Sequence, residues 1–194
     1  ASADKAAAEC AAGPEACPST KSPYYQSLDG TWKFALLDTP VQDEKGEYEN
    51  WMQNSYSVKK WADITVPGTW TLQGFDHPHY TNVQMPFTML PPNVPEKNPT
   101  GLYRLDADIP SSWKDRRVVL HVGSAESCTI VYVNGNEAGV SKDTRLPCEF
   151  DITPYLKWNG SSSRAVIAVK VVRYSDASFV EDQDQWWFGG IHRS

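Results

Sequence analysis

The sequence has no cluster of lysine and arginine. Its 18 Lys and Arg and 24 Asp and Glu are interspersed and leave a formal net charge of −6. A surface that tracks a phosphate backbone needs clustered cations, so nucleic acid is not an expected partner. No apolar run approaches the roughly 20 residues that a membrane-spanning helix requires, so no membrane partner is expected either. The opening residues, ASADKAAAECAAGPEACPST, have neither the basic start nor the apolar centre of a secretory leader. The compartment stays open between cytoplasmic and secreted, with the cytoplasm preferred. Cysteine is scarce: Cys10, Cys17, Cys128 and Cys148, with no CxxC among them, so the ligand spacing of a zinc or thioredoxin-like site is missing. Cys10 and Cys17 lie in an Ala-rich start where a small loop closes easily. Cys128 and Cys148 stand at the starts of two strand-like stretches and can pair only if those strands are neighbours. Free thiols and disulfides both remain open. Long amphipathic helices are absent too.

What is present is alternation with period two. In Thr31–Leu36 the residues Trp32, Phe34 and Leu36 share a face. In Tyr103–Ile109 the residues Tyr103, Leu105, Ala107 and Ile109 face one way, and Arg104, Asp106 and Asp108 the other. Both patterns mark half-buried antiparallel strands. Val118, Leu120 and Val122 form a further stripe. Thr129–Val133 runs into Asn134-Gly135, a hairpin signal because both residues tolerate positive φ. Glu149–Ile152 is another strand, and Ala165–Val172, apolar on both faces, reads as a central one. Glu47–Trp61 is expected to hold a short helical turn with Trp51 and Met52 packed inward. The predicted fold is all-β, a β-sandwich with one long excursion between Val66 and Thr100 that is rich in Pro, Gly, Asn and aromatics. Residues 1–20 read as a loosely ordered tail and 21–194 as one domain. The end, Trp186–Ser194, reads as a turn running into a strand that is incomplete at Ser194, so a piece of a longer multidomain protein is expected.

Several residue groups have a plain reading beside a functional one. Eight Trp suit either a sandwich core or a sugar-stacking surface. Trp32, Trp51 and Trp70 are expected in the core, and Trp186 and Trp187 nearer a site because they follow an acidic turn. In that turn, Glu181, Asp182 and Asp184 form a solvated charge run, a cation site or, as the least favoured reading, a self-contained glycosidase dyad, with Asp182 and Asp184 on one side of an extended segment. His77 and His79 flank Pro78 with no third ligand nearby and read as loop residues. Asn82 reads locally as a turn residue in a Pro-rich loop.

Five segments change that balance. They are SPYYQSLDGTWKF (22–34), VPGTWTLQGFDHPHYTNVQMPF (66–87), PPNVPEKNPTGLYR (91–104), VYVNGNEAGVSKDTRLPCEFDITPYL (131–156) and VVRYSDASFVEDQDQWWFGGIHR (171–193). Taken together, and in this order, they resemble the amino-terminal sugar-binding domain of glycoside hydrolase family 2, and within it the large β-galactosidases. The resemblance implies a jelly-roll sandwich, galactose-binding-domain-like, followed by an immunoglobulin-like domain and a (β/α)8 barrel. It places the two catalytic glutamates of a retaining hydrolase on that barrel, so no catalytic residue is expected in this chain. It implies that Asn82 and Asp184 contact the sugar, with Asp184 also helping to hold a sodium ion. Asp176 matches a position that binds magnesium in some relatives, but Lys142 stands where those relatives have a neutral side chain. It further implies a homo-oligomeric parent enzyme. Arg145 is expected in the sandwich wall, paired to a carboxylate.

Two other functions compete with an accessory domain of a β-galactosidase. One is a free-standing, lectin-like carbohydrate-binding module, since jelly rolls host many of those. The other is the same domain in a β-glucuronidase or β-mannosidase.

Overall fold

The structure is a computed structural model that describes residues 21–41, 46–159 and 162–194. The expected tail, with Cys10 and Cys17, lies outside the described residues. In chain order the strands are β1 (Gly30–Leu37), β2 (Ala62–Val66), β3 (Gly68–Thr69), β4 (His79–Tyr80), β5 (Thr100–Pro110), β6 (Val119–Val122), β7 (Ser124–Glu126), β8 (Cys128–Val133), β9 (Asn136–Ser141), β10 (Cys148–Asp151), β11 (Ser162–Val172), β12 (Trp186–Trp187) and β13 (Gly190–Arg193). The helical pieces among the described residues are short 3-10 turns, and none is long and apolar enough to cross a membrane.

The six-stranded sheet has the order β2-β1-β5-β11-β8-β9, and the strand pairs are antiparallel. Small sheets, β10-β6 and β3-β13-β7, pack against one of its faces. The alternation explains why. Trp32, Phe34, Tyr103, Ala107 and Ile109 from the large sheet meet Leu120, Val122, Phe150 and Ile191 from the small ones in one buried cluster. Phe34 and Tyr103 are direct cross-strand partners, with ring centroids 4.8 Å apart. The fold is thus the expected all-β sandwich. Trp32, Trp51 and Trp70 are buried, as composition and pattern predicted.

The outer face of the large sheet is covered as well. Trp51, Trp61, Met52, Tyr56 and Val58, from the turns between β1 and β2, pack on Leu102, Ala168 and Tyr132. This is why β11, the fourth strand in the sheet order, is apolar on both faces. It also overturns one reading. Arg104 was expected on a solvent face with Asp106 and Asp108, yet it is buried. Its guanidinium donates to the carbonyls of Trp51 and Gln53, the ends of turns that lie over it. A buried cation is tolerated because those backbone acceptors replace water. The segment 46–61 itself is a series of turns rather than a helix, with Trp51 buried and Met52 half-buried as expected.

Asn134 and Gly135 have φ of 51° and 81° and close the β8-β9 hairpin. The Asn134 side chain donates to the Tyr155 carbonyl and accepts from the Val166 amide, which ties the hairpin to β11. Cys128 and Cys148 are free and half-buried, on strands that do not pair with one another. Burial raises both thiols above their ordinary pKa, which lowers their nucleophilicity at neutral pH.

Candidate functional site

Within the long excursion from Val66 to Thr100 lies β4, which pairs antiparallel with β12 in a separate two-stranded sheet: Trp186 lies opposite Tyr80 and Trp187 opposite His79. This pairing brings two sequence-predicted residues to one place. Asn82 follows Tyr80 by two positions, and Asp184 precedes Trp186 by two. Tyr80 Oη donates to Asp184 Oδ1 at 2.5 Å. That hydrogen bond to the carboxylate is the first cause of a raised Tyr80 pKa, followed by burial and the Asp184 charge.

Asn82 is exposed and has φ of 56°, in a turn in which the Gln84 amide donates to the Thr81 carbonyl. Asparagine is among the few side chains that occupy this left-handed region at low cost. Its amide has no hydrogen-bond partner among the described residues, so its donor and acceptor are open to a ligand. The local turn reading and the binding reading are therefore compatible. The turn is held from below: Thr81 Oγ1 donates to the Gln84 carbonyl and accepts from the indole of Trp187 at 3.2 Å.

Aromatic rings make the wall. The Trp186 ring is half exposed, lies 5.2 Å from that of Tyr80 with a 32° tilt, and stacks with Phe188 at 17° between planes. Trp187, by contrast, is buried. The strand alternation separates the two: one faces the site and the other props the Asn82 turn.

The acidic turn does not act as one group. Glu181 accepts from the Thr144 amide at 2.8 Å and the Thr144 hydroxyl at 2.6 Å, so it anchors the loop after β9. Asp182 is half-buried and Asp184 is exposed. The chain between them bends, with the Gln185 amide donating to the Gln183 carbonyl, instead of running extended as expected. Among the described residues no three His, Cys, Asp or Glu side chains come together to hold a metal. Asp184 supplies one hard carboxylate, with Oδ2 free of Tyr80, which suits a share in a sodium site and not a complete one. Asp176 is elsewhere, at the start of the 3-10 turn that follows β11. Both its oxygens accept from Lys142 Nζ, at 2.8 and 3.0 Å. A lysine ammonium holding both oxygens does not fit a magnesium ligand.

Sequence reasoning missed the residue that holds this corner together. Arg173 is buried and its guanidinium pairs with Asp76 at 2.5 Å. It also donates to the carbonyls of Trp187 at 2.6 Å and His77 at 3.2 Å. One side chain therefore fixes the strands on both sides of the site. The only signal was a charge directly after the apolar run of β11, inside a segment read as a whole.

Beneath the aromatic segment lies Glu126, also buried. Burial pushes its pKa up to about 8, against the opposing pull of Arg145, Arg173 and a hydrogen bond from the Phe188 amide. The neighbouring His192, 3.9 Å away, is pushed down to about 4 by burial and by Arg145 and Arg193. Arg145 acts on Glu126 through space, and no ion pair for Arg145 forms among the described residues. The expected pairing of Arg145 with a carboxylate is in this sense only electrostatic.

The fold and this corner define a β-sandwich domain on which exposed Asn82 and Asp184 stand beside the Tyr80 and Trp186 rings. Residues 25–194 match the family described as glycosyl hydrolases family 2, sugar binding domain, and the chain belongs to that family. It is 43% identical over 173 residues to a β-galactosidase of Photobacterium profundum, covering 87% of this chain and 16% of that protein. A β-galactosidase of Psychromonas ingrahamii is 40% identical over 172 residues, with 89% of this chain and 16% of that protein covered. The chain thus spans about a sixth of the length of these relatives. Among solved structures, Bacteroides uniformis β-glucuronidase 2 covalently bound to cyclophellitol-6-carboxylate aziridine superposes with a TM-score of 0.62 at 24% identity, covering 87% of this chain and 17% of that one. A Ruminococcus gnavus β-glucuronidase superposes at 0.52 and 22% identity, covering 75% of this chain and 20% of that one. At such identities the likeness is one of fold.

Proposed function

We propose that this chain is the accessory sugar-binding domain of a retaining β-galactosidase that hydrolyses terminal β-D-galactosides. In this reading it supplies Asn82 and Asp184 to a galactose pocket whose catalytic carboxylates and remaining walls come from other domains, an immunoglobulin-like unit and a (β/α)8 barrel, in a homo-oligomeric enzyme. The observation that carries it is the β4-β12 corner, where an unpartnered Asn82 amide and the Asp184 carboxylate flank one aromatic wall. The identity to β-galactosidases over nearly the whole sandwich supports the choice of sugar. An amide and a carboxylate together offer donors and acceptors to vicinal hydroxyls. Asp184 would also serve as one ligand of a sodium ion, which supplies a fixed positive charge for sugar oxygens when bound. Magnesium at Asp176 stays outside the proposal because of Lys142.

A site with so few contacts encloses little of a monosaccharide, so the chain alone is expected to bind galactose too weakly to saturate. The test is an NMR titration of the 194-residue chain with galactose and lactose, with and without sodium, alongside assay of a chromogenic β-galactoside. No turnover and no saturable shift is the expected result. Saturable submillimolar shifts at Asn82, Asp184 and Trp186 without turnover would instead assign an autonomous lectin-like module. Turnover lost on changing Asp182 and Asp184 would overturn the accessory reading.

A further inference from the structure

The outer face of the large sheet holds an open pocket of about 270 Å³ that shares no residue with the β4-β12 corner. Its floor is Arg104 and Asp106 of β5 with Val166 of β11, which lies opposite Asp106. Asn54, Tyr56 and Val58, from the turns between β1 and β2, line it from above. Arg164 completes the lining and pairs with Asp106 at 2.6 Å, both side chains being exposed. Arg104 is buried and uses only Nη1, which donates to the carbonyls of Trp51 and Gln53. Its Nε and Nη2 have no hydrogen-bond partner among the described residues. Neither is sealed from solvent, in contrast to Arg173 Nε. Because Arg104 lines the pocket, that edge of its guanidinium is open to it. Two carbonyls solvate this charge but do not neutralise it. The carboxylate two residues on, Asp106, is held by Arg164. Burial lowers the Arg104 pKa, and Asp106 and Tyr56 offset this only in part.

We propose that this pocket binds a small hydroxycarboxylate, with its carboxylate forked on Arg104 Nε and Nη2. That edge of a guanidinium carries two parallel N–H groups and matches the two oxygens of a carboxylate. The remaining polar groups select the rest of the ligand. Tyr56 Oη spends its hydrogen on the Glu47 carbonyl at 2.8 Å, and Asn54 Nδ2 donates to Asn134 Oδ1 at 3.1 Å. What these two side chains have left are acceptors, Tyr56 Oη and Asn54 Oδ1, and acceptors call for a hydroxyl donor. Val58 and Val166 offer apolar contact to a short carbon chain. The volume lies just below the usual range of ligand sites, which suits an acid of a few carbons. Charge agrees, since two arginines and one aspartate line the pocket. The proposal depends neither on the sugar corner nor on the domain's place in a larger enzyme.

The test titrates the 194-residue chain with lactate, with lactamide, which has the same shape without the charge, and with inorganic phosphate. Low salt keeps the charges unscreened. NMR follows the Arg104 Nε–H group and the backbone amides of Tyr56 and Val58. Lactate should give saturable shifts there in the millimolar range, and lactamide none. Two exposed variants that leave Arg104 and its carbonyl partners in place test the sign. Asp106→Asn removes the competing carboxylate and should tighten lactate a few-fold. Arg164→Gln frees Asp106 to turn toward Arg104 and should weaken it. Equal shifts from lactate and lactamide, no saturation with lactate, or weaker lactate binding in Asp106→Asn would overturn the proposal. Phosphate binding more tightly than lactate would overturn it too, by assigning the pocket to a tetrahedral oxyanion. The galactose titration reads other residues, so failure here leaves the proposed function standing.

Discussion

Tyr80 and Asp184 are 104 residues apart in the chain and meet in a hydrogen bond of 2.5 Å. Through it the tip of the long excursion and the acidic turn become one corner. The phenol holds one carboxylate oxygen and leaves the other free.

Replacing Asp184 by Asn removes both the charge and the strongest acceptor for the phenol. The Tyr80 pKa, now raised chiefly by that hydrogen bond, should fall back toward its ordinary value. A pH titration of the Tyr80 ring by NMR reads this directly. An unchanged midpoint would mean that the pair is not formed in solution.

Arg173 is expected to be the most sensitive polar residue in the corner. Arg173→Met leaves Asp76 and the carbonyls of His77 and Trp187 without their donor. Breaking a buried pair from one side costs about 3–5 kcal/mol. Urea unfolding should show this loss, with Asp76→Asn costing less because its side chain is 22% exposed.

Glu126 predicts a pH dependence. Its folded pKa, about 8, lies above its ordinary 4.5, so its contribution is full below 4.5 and is lost as pH rises toward 8. His192, depressed from 6.5 to about 4, contributes above 6.5 and loses that contribution as pH falls toward 4. Between these limits the two slopes oppose one another, and above pH 6.5 only the Glu126 slope remains. Stability should therefore fall between pH 6.5 and 8, by at most about 1.4 kcal/mol per pH unit. Denaturation curves across this window should flatten in Glu126→Gln.

Gly189 is required by close approach. A Cβ there would sit 2.0 Å from the Trp70 ring, which is fully buried and cannot retreat. Gly189→Ala should cost about 1–3 kcal/mol or more, as overpacking does. Its effect should show in both the thermal midpoint and the near-UV signal of the tryptophans.

Lys142→Gln should release the Asp176 carboxylate. In the unaltered chain, millimolar magnesium should leave the Asp176 resonances unmoved, because Lys142 Nζ holds both oxygens. A magnesium-dependent shift at Asp176 in the variant alone would show that the lysine is what excludes the ion. The same shift in the unaltered chain would show that the ion displaces the lysine.

The strands were legible because burial on one face imposes period two on the residues themselves. Trp32 and Phe34, or Val118, Leu120 and Val122, carry that signal within a few positions. Arg104 was not legible. It obeys the alternation, but which elements cover the outer face depends on turns some 50 residues earlier. Glu181 and Asp184 are equally acidic and three positions apart, yet one anchors Thr144 and the other accepts from Tyr80.

By itself, the sequence determined the all-β class, the hairpin at Asn134-Gly135, the core tryptophans and, through five ordered segments, the family. Those are local or cumulative properties of the chain. Only the tertiary structure decided that Tyr80 meets Asp184, that Trp186 faces out while Trp187 is buried, and that Arg173 clamps both sides of the corner. Each of these depends on which distant segments share a sheet or a buried space, and no run of neighbouring residues encodes that pairing by itself.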